Sequence, residues 1–356
     1  MRIVTTKSLK QNTAVICAVL LLSFTVILSD NVRTAAADAV NSCLTVILPC
    51  IFPVTVISFF ILETGFPLKI KHITDGLLRF LFGLSGNCLE GVILGLSGGY
   101  NTAVKCAVRL RENKAISAEQ AKRLSLFFTN PGISFTVLLT GSALSGSLAA
   151  GFRLYAETVI LNLITAYLYN KIKSNKEIIP VTGNSKGISD AFVLAVEASS
   201  KVIMSISFNI IFFSCLTSVI THLLPNSFVN EIIRLISEVS SAVIYSSAKY
   251  PFYITAGILT FGGICIFIQN LADFKKIGIK PADFLKIRLL QSSLVTTAEY
   301  ILSIIFPEST LTAVIYPVKV SASANAAGTL SLIFLCAVYL IAVKNLTGKR
   351  SATKKV

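Results

Sequence analysis

Long runs of apolar residues constrain this chain more than any other feature of its sequence. A transmembrane helix needs about 20 mainly apolar residues, and runs of this kind recur along the whole chain. The expected spans lie at about 14–28, 40–62, 131–150, 154–170, 190–222, 251–270, 284–305 and 327–343. Only 14% of the residues are charged, whereas soluble domains have about 25%, so a soluble core cannot absorb these runs. The sequence predicts an all-α polytopic membrane protein with about eight transmembrane helices.

The basic residues indicate how the chain is oriented in the membrane. The formal net charge is +15, which by itself can indicate nucleic-acid binding. The Lys and Arg residues, however, gather between the apolar runs, above all at 105–123, 171–186 and 275–288 and in the C-terminal tail. Because cytoplasmic loops of membrane proteins are rich in Lys and Arg, this pattern predicts a multi-pass protein of the cell membrane with both termini in the cytoplasm. The expected partner is the lipid bilayer and not nucleic acid.

The two halves of the chain follow the same plan. Residues 29–52 resemble residues 189–212 in pattern, and residues 128–141 resemble residues 259–272 in the same order. An odd number of expected spans separates the halves, so the two repeats are predicted to be inverted. The first apolar run is interpreted as a retained helix rather than a cleaved signal peptide, because another hydrophobic segment follows it directly. The expected parts are an N-terminal transmembrane helix at 1–30, a first repeat at 31–175, a second, inverted repeat at 176–306, and a final helix with a basic cytosolic tail at 307–356.

Each half contains an apolar segment that glycines and polar residues interrupt. Residues 77–101 and 226–249 are too interrupted for simple spans, so each is predicted to form a re-entrant hairpin. Two further breaks, at 128–132 and 262–270, lie in the spans that follow the hairpins. Backbone groups freed inside a membrane must be satisfied by protein or by a water-filled cavity, and helix N-termini favour anions. Inverted repeats with such broken helices are typical of secondary transporters.

The interrupted segments supply the candidate substrate-binding residues. Glycines at a hairpin tip let the chain turn tightly, and nearby hydroxyl, phenol and amide groups can form directional hydrogen bonds. An ionisable group at membrane depth is a functional candidate by default. The candidate residues are Ser97, Gly98, Gly99, Tyr100, Asn101, Asn130, Glu238, Ser240, Gln269 and Asn270.

These candidates also have structural interpretations. Gly98 and Gly99 could serve only the close packing of helices. Glu238 could be a loop carboxylate that faces water, and Asn130 and Gln269 could join helices by hydrogen bonds without touching a ligand. The sequence leaves both interpretations open.

The other polar residues of the spans indicate no catalytic chemistry. Glu197 and Lys201 stand four residues apart, which favours a structural ion pair on one helix, and either Glu157 or Glu299 could carry a proton. The eight cysteines form no CxxC pair, so neither a disulfide framework nor a metal site is expected. The sequence has no nucleophile elbow, zinc-protease motif or phosphate-binding loop. It therefore disfavours an enzyme and predicts no cofactor.

Two motifs of the first half resemble a known family. They read LPCIFPVTVISFFI at 48–61 and GLSGGYNTAVKCAVRLRENKAISAEQAKRLSLFFTNPG at 95–132. Together they are similar to the sporulation integral membrane proteins of the YlbJ type, which contain two nucleoside-recognition, or Gate, domains. The chain departs from the family pattern at 99–101 and at 131–132. The positions that fit the pattern are Ser97, Gly98, Lys105, Ala121, Arg123, Leu124, Phe128 and Asn130.

The resemblance covers about residues 30–305 and implies both a fold and a function. It implies a relation to concentrative nucleoside transporters, whose hairpins and broken helices bind substrate. It also implies a role in endospore formation, in which dipicolinic acid, a small aromatic dianion, moves out of the mother cell across the outer forespore membrane. The expectation is a secondary transporter of a small organic anion that works by alternating access, with a proton or sodium as a coupling ion. The alternatives are a transporter of a nucleoside-like solute and a non-transporting sporulation scaffold.

Overall fold

The computed structural model describes residues 2–173, 187–224 and 226–305. Within these ranges the chain is almost entirely helical and contains no strand, in agreement with the all-α prediction. The helices of the first half are α1 (Arg2–Ile27), α2 (Ser29–Ser42), α3 (Leu48–Glu63), α4 (Phe66–Phe82), α5 (Leu89–Ser97), α6 (Tyr100–Glu112), α7 (Ala118–Phe127) and α8 (Leu148–Ile172). The helices of the second half are α9 (Ile188–Leu223), α10 (Ser227–Ser237), α11 (Val239–Lys249), α12 (Phe252–Phe261), α13 (Gly263–Ile277) and α14 (Pro281–Ile305).

Three helical segments of the described ranges are long and apolar enough to cross a membrane. They are Leu148–Ile172, Ile188–Leu223 and the segment Phe252–Ile277, which contains both α12 and α13. A helix of about 20 residues spans the hydrocarbon core of a bilayer, so the length and composition of these segments indicate a protein embedded in a membrane.

Two bent helix pairs raise the number of candidate spans to five if each pair is one span. Ala18–Ile27 and Ser29–Thr45 meet at 92°, and Ile73–Phe82 and Gly86–Ser97 meet at 91°. The expected total of about eight spans stays a prediction. The last expected span, at 327–343, and the final segment at 307–356 lie outside the described residues.

The surface and the interior differ as they do in membrane proteins. Met204, Phe208 and Phe212 form an exposed apolar stripe along one face of α9, because residues four apart share a helix face. Polar groups inside a membrane protein face the interior of the bundle and pair with one another. The buried polar residues of this interior include Asn101, Asn130, Asn162, Asn270, Arg288, Gln291 and Glu299.

Both halves contain a hairpin of two short helices. In the first hairpin (residues 89–112), α5 and α6 are joined by Gly98 and Gly99. In the second hairpin (residues 227–249), α10 and α11 are joined by the single residue Glu238. The first hairpin begins later than the expected 77, because α4 ends at Gly83 in the left-handed conformation and a short 3₁₀ turn precedes α5.

Each half also contains a helix that is interrupted after the hairpin. The first break (residues 128–132) separates α7 from a π-helical segment, Phe135–Leu144. The second break (residues 262–263) separates α12 from α13, and both of its glycines have a positive φ. Another π-helical segment, Cys43–Ile47, joins α2 to α3 directly before Pro49. Proline removes a backbone donor, and π-helical turns are a common way for a helix to accommodate such a local change.

The last helix of each half packs tightly against the interrupted helix of the same half. A β-carbon on Gly141 of the π-helical segment would lie 2.4 Å from the α-carbon of Gly151 in α8. A β-carbon on Gly257 of α12 would lie 2.0 Å from the hydroxyl oxygen of Thr296 in α14. Small residues allow this close approach of helix backbones, so α8 and α14 each form a unit with a broken helix.

Candidate functional site

Both hairpin tips, the first break and α13, which follows the second break, meet around one small central cavity. Its volume is about 50 Å³, which leaves room for a few water molecules. The candidate residues that line it are Gly98, Gly99, Tyr100, Asn101, Glu238, Ser240 and Gln269. Gly132 of the first break and Ile210 of α9 also line the cavity. The fold therefore brings together most of the residues that the interrupted segments indicated.

The tip of the first hairpin packs against the first break. Gly99 has a φ of 92°, a conformation that only glycine adopts without strain. A β-carbon on Gly132 would lie 3.0 Å from the backbone nitrogen of Gly99, so both glycines are needed for this contact. No side chain caps the N-terminus of α6, which starts at Tyr100. The positive end of this half-helix therefore lies at the cavity without a side-chain partner.

Tyr100 connects the first hairpin to the second half of the chain. Its hydroxyl donates a hydrogen bond to the backbone oxygen of Leu259, at 2.5 Å, near the end of α12. A β-carbon on Gly262 would lie 3.1 Å from the Tyr100 ring, so the absence of a side chain at Gly262 makes space for the ring. Tyr100 is thus a structural contact between the halves as well as part of the cavity wall.

Asn101 forms an amide network with α13. Its side-chain nitrogen donates to the side-chain oxygen of Gln269, and its side-chain oxygen accepts a hydrogen bond of 2.7 Å from Asn270. Asn270 also donates to the backbone oxygen of Ile266 and lies behind the cavity wall rather than in it. Asn101 and Gln269 face the cavity, so their interhelical hydrogen bond and a role in ligand binding are compatible.

Glu238 caps the second half-helix of its hairpin. One carboxylate oxygen accepts a hydrogen bond from the backbone N–H of Ser240 at 2.9 Å, and the other accepts one from Ser241 at 2.8 Å. The side chain is only 2% exposed, which excludes the interpretation as a water-facing loop carboxylate. Because Glu238 already occupies the N-terminus of α11, this half-helix, unlike α6, offers no free anion position.

A large vestibule adjoins the central cavity. Its volume is about 720 Å³, and α2, the C-terminal half of α9 and the second hairpin form its walls. Glu238, Ser240 and Ile210 line both the vestibule and the central cavity, so these three residues separate the two spaces. The charged residues of its lining are Asp30, Asp38, Arg234 and Glu238. Carboxylates therefore outnumber basic groups on this wall.

Arg288 is a buried residue beside the candidate site that the sequence interpretation missed. Its position at the end of the basic run 275–288 suggested a cytoplasmic loop, but it is only 2% exposed. Its guanidinium donates to the backbone oxygens of Thr129 at 2.5 Å and Phe261 at 3.4 Å. These oxygens lie at the C-terminal ends of α7 and α12, which carry partial negative charge. A single buried arginine thus holds the broken helices of both halves, and an arginine inside an apolar run was the available signal.

Arg288 also lies beside the cavity. Its guanidinium carbon is 5.7 Å from the centre of the Tyr100 ring, within the range of a cation–π interaction. It donates a further hydrogen bond of 2.9 Å to Gln291. Within the described residues its Nη2 atom is buried without a hydrogen-bond partner. Behind Tyr100, the site therefore contains a fixed positive charge.

Two of the candidate residues lie away from the cavity. The side chain of Asn130 in the first break accepts a hydrogen bond from Asn162 of α8, which fits the interpretation as a link between helices. The Ser97 hydroxyl donates to the backbone oxygen of Ile93 at 2.8 Å, within its own helix. Within the described residues, no group of three or more His, Cys, Asp or Glu side chains could hold a metal ion.

Comparisons with protein-family models, with curated proteins and with solved structures found no match for this chain. The candidate site therefore rests on the residues and the geometry described above.

Proposed function

We propose that this protein is a secondary transporter that moves a small organic anion, with dipicolinate as the leading substrate, by alternating access. The observation that carries this proposal is the meeting of two hairpin tips, the first helix break and the helix that follows the second break at one cavity. Broken helices that meet near the middle of a membrane protein are typical of transporter substrate sites. No enzymatic role is proposed.

The same order of elements in both halves supports two inverted repeats, at 31–175 and 176–306. Each half has a hairpin, then an interrupted helix, then a long helix. In the first hairpin Glu90 of α5 pairs with Arg109 of α6. In the second, Glu231 of α10 pairs with Lys249 of α11. The same type of ion pair thus joins the two arms of each hairpin.

The unequal sizes of the two spaces support alternating access. The central cavity is too small for a substrate of dipicolinate size, since ligand pockets usually have about 300–1,000 Å³. The vestibule beside it is large enough, and Glu238 and Ser240 separate the two. In the proposed cycle, movement of the second hairpin joins the vestibule to the central cavity and admits or releases the substrate.

The electrostatics at the first hairpin support an anion at the centre. The uncapped N-terminus of α6 and the nearby Arg288 attract negative charge, while the Glu238 carboxylate of the same cavity is offset by the backbone N–H groups of Ser240 and Ser241. In the vestibule, Asp38 shares the lining with Arg234, and Asp30 is paired with Arg33. In the proposed cycle the anion is held at the centre and released through the vestibule.

A nucleoside-like solute is the second candidate, and the polarity of the vestibule favours it. Most polar groups of the vestibule are hydroxyls, which include Thr34, Ser214, Thr217, Ser218, Thr221, Ser240 and Ser241. Hydroxyl and amide groups can bind a neutral solute that carries hydroxyls and ring nitrogens. Asn101 and Gln269 would supply the amides in the central cavity.

The proposed location is the cell membrane, with both termini in the cytoplasm, and in a sporulating host the outer forespore membrane. The remaining alternative is a scaffold that recruits partners through a basic cytosolic face without moving a solute. Arg109 and Arg111 belong to that face, and both are exposed, but Arg109 also pairs with Glu90 of the first hairpin. Replacement of Arg111 alone should impair a scaffold and leave flux through a transporter unchanged.

The test is dipicolinate flux in proteoliposomes that contain the purified protein, under imposed proton and sodium gradients. The double variant N101A/E238A should lose flux, because it removes polar groups of both hairpin tips from the cavity. Flux of uridine or adenosine without flux of dipicolinate would favour the nucleoside-like solute.

N162A is the matched control. Asn162 is a buried asparagine with a side-chain hydrogen bond to another asparagine, as Asn101 has to Gln269, but it lies outside the cavity lining. Its replacement should reduce thermal stability and retain flux per folded molecule. Equal loss of flux in N162A and in the double variant would contradict the proposed site. Absence of flux of either solute from folded wild-type protein would contradict the transport proposal.

A further inference from the structure

A cluster of three ionisable side chains joins α8 to α14, away from the central cavity. The guanidinium of Arg153 in α8 binds the carboxylate of Glu299 in α14 at 2.7 Å. Glu157 lies four residues after Arg153 on the same face of α8, and both of its carboxyl oxygens are buried beside this ion pair. The fold thus brings two carboxyl groups and one guanidinium together from positions far apart in the chain.

The polar atoms of this cluster are not satisfied by the groups around them. Arg153 Nε, both carboxyl oxygens of Glu157 and Glu299 Oε1 are buried without a hydrogen-bond partner among the described residues. Glu299 is only 2% exposed. With both carboxyl groups ionised, one negative charge would be unpaired and buried, which is strongly unfavourable. One proton removes this charge and provides a donor from one carboxyl group to the other.

Among the described residues, two elements that pack on α8 and α14 supply no charge that could replace the proton. The π-helical segment Phe135–Leu144, which packs on α8, contains no titratable residue. The only titratable residue of α12, which packs on α14, is Tyr253. Its ring packs against the ring of Tyr300 at 5.2 Å between centroids. Within the part of the chain that the structure describes, the charged groups that act on Glu157 are Glu299 and Arg153.

We propose that Arg153, Glu157 and Glu299 form a proton-binding site, in which the two carboxyl groups share one proton, and that this proton is the coupling ion. The second part rests on the transport function proposed above. In each cycle the site takes one proton from water on one side of the membrane and returns it to water on the other side, so charge and mass balance.

The position of the cluster explains how the proton would affect transport. α8 is packed tightly on the interrupted helix of the first half through Gly141 and Gly151, and α14 on that of the second half through Gly257 and Thr296. The cluster is thus a direct polar link between the two units that carry the breaks. With the proton bound, the carboxyl groups attract each other through a hydrogen bond. Without it they repel, which favours separation of α8 from α14.

The first experiment measures the proton itself and does not depend on transport. Infrared spectroscopy of the purified protein detects the carbonyl stretch of a protonated carboxylic acid at neutral pH. The variants are E157Q and E299Q, each of which leaves one carboxylate paired with Arg153. We expect the wild-type protein to show this band and E157Q and E299Q to lack it. R153Q, which keeps both carboxyl groups, should retain it. E238Q and E197Q are the controls for a buried and an exposed carboxyl group elsewhere.

The band distinguishes this site from others. Loss of the band in both E157Q and E299Q supports the proposal. Absence of a protonated carboxyl group from the wild-type protein would overturn it, and so would a band that only E238Q removes. Because Glu to Gln preserves shape, both variants should remain folded, and a melting curve checks this for each of them.

The second experiment measures coupling in proteoliposomes with dipicolinate and a pH indicator. Proton movement that accompanies wild-type flux and disappears in E157Q supports the coupling role. Dipicolinate flux without proton movement would overturn that role. If wild-type protein shows no flux but the infrared band behaves as expected, the proton site stands and the proposed transport function fails.

Discussion

The two hairpins have the same plan but very different surroundings. In the first, most residues of α6 and about half of α5 are buried, including Gly91, Gly95 and the run from Tyr100 to Val104. In the second, α10 has no buried residue, and Phe228 is 68% exposed. Burial of apolar surface and of hydrogen bonds raises the free energy of local opening. Both arms of the first hairpin are therefore enclosed by the protein, whereas in the second hairpin only α11, with five buried residues, is enclosed.

The two hairpin tips also differ in how they are held by the rest of the protein. The first tip is fixed by the Gly99–Gly132 contact, by Tyr100 and by the amide network of Asn101. The second tip also packs against a break, since a β-carbon on Gly263 would lie 3.2 Å from the backbone nitrogen of Val239. It differs in carrying its own cap, Glu238, which bonds to the α11 backbone, and in bordering the vestibule. We infer that the first hairpin is the fixed wall of the site and that the second is its gate. The predictions below test this difference, beginning with the largest expected effect.

Replacement of Arg288 should have the largest effect on stability. R288Q removes charged hydrogen bonds to the carbonyl ends of both broken helices, each of which contributes about 1.5–3 kcal/mol. We expect the free energy of unfolding to fall by about 3 kcal/mol or more, which would lower the melting temperature in detergent. Flux should be lost as well. R111Q, which changes an exposed arginine of α6, is the control and should leave the melting temperature unchanged. An unchanged melting temperature in R288Q would show that Arg288 does not hold the breaks.

A methyl group in the first hairpin should be the next most damaging change. The β-carbon of G95A would lie 2.2 Å from the backbone oxygen of Phe128, and overpacking typically costs about 1–3 kcal/mol. G76A in α4 is a matched control, since nothing lies within 4 Å of its new methyl group. In the second hairpin, I232A should change stability by about 0.5 kcal/mol or less. Equal thermal destabilisation by G95A and I232A would remove the proposed contrast between the hairpins.

Removal of the Glu238 cap should have a moderate effect. E238A exposes two backbone N–H groups at the start of α11, and the loss of an N-cap typically costs about 1 kcal/mol. E238D should retain most of the stability, because aspartate is also a good N-cap residue. Both can be compared by thermal melting of the purified proteins. Equal destabilisation by E238A and E238D would mean that capping is not the main structural role of this carboxylate.

The smallest effect is expected for the ion pair that joins the arms of the second hairpin. Glu231 accepts hydrogen bonds from Lys249, Tyr250 and Tyr245, and an ion pair in contact with solvent contributes little to stability. E231Q should hardly change the melting temperature but should accelerate hydrogen exchange in α10. E90Q, which removes the matching ion pair from the first hairpin, should not accelerate exchange in α5, because packing also protects that helix. Similar acceleration in both hairpins would contradict the assignment of only one of them as a gate.

Much of the candidate site follows from local sequence. The glycines at 98–99 and 262–263, the polar break at 128–132 and the acidic tip at 238 are each visible as interruptions of apolar runs. Such interruptions depend on the conformational preferences of a few neighbouring residues, so they are visible in the sequence. Of the purely structural interpretations of the candidate residues, a role in joining helices fits Asn130. The burial of Glu238 excludes a carboxylate that faces water.

The sequence by itself determined that this chain forms apolar helices with breaks at particular residues, because hydropathy and glycine act over a few neighbouring positions. Only the tertiary structure decided which polar groups meet. Arg288 looked like part of a basic loop, and Glu157 and Glu299 looked isolated, until packing placed them against Thr129, Phe261 and Arg153. The contacts of Arg288 with Thr129 and of Arg153 with Glu299 join residues more than a hundred positions apart. Such contacts depend on how whole helices pack, and periodicity along one segment carries no information about its neighbour across the bundle.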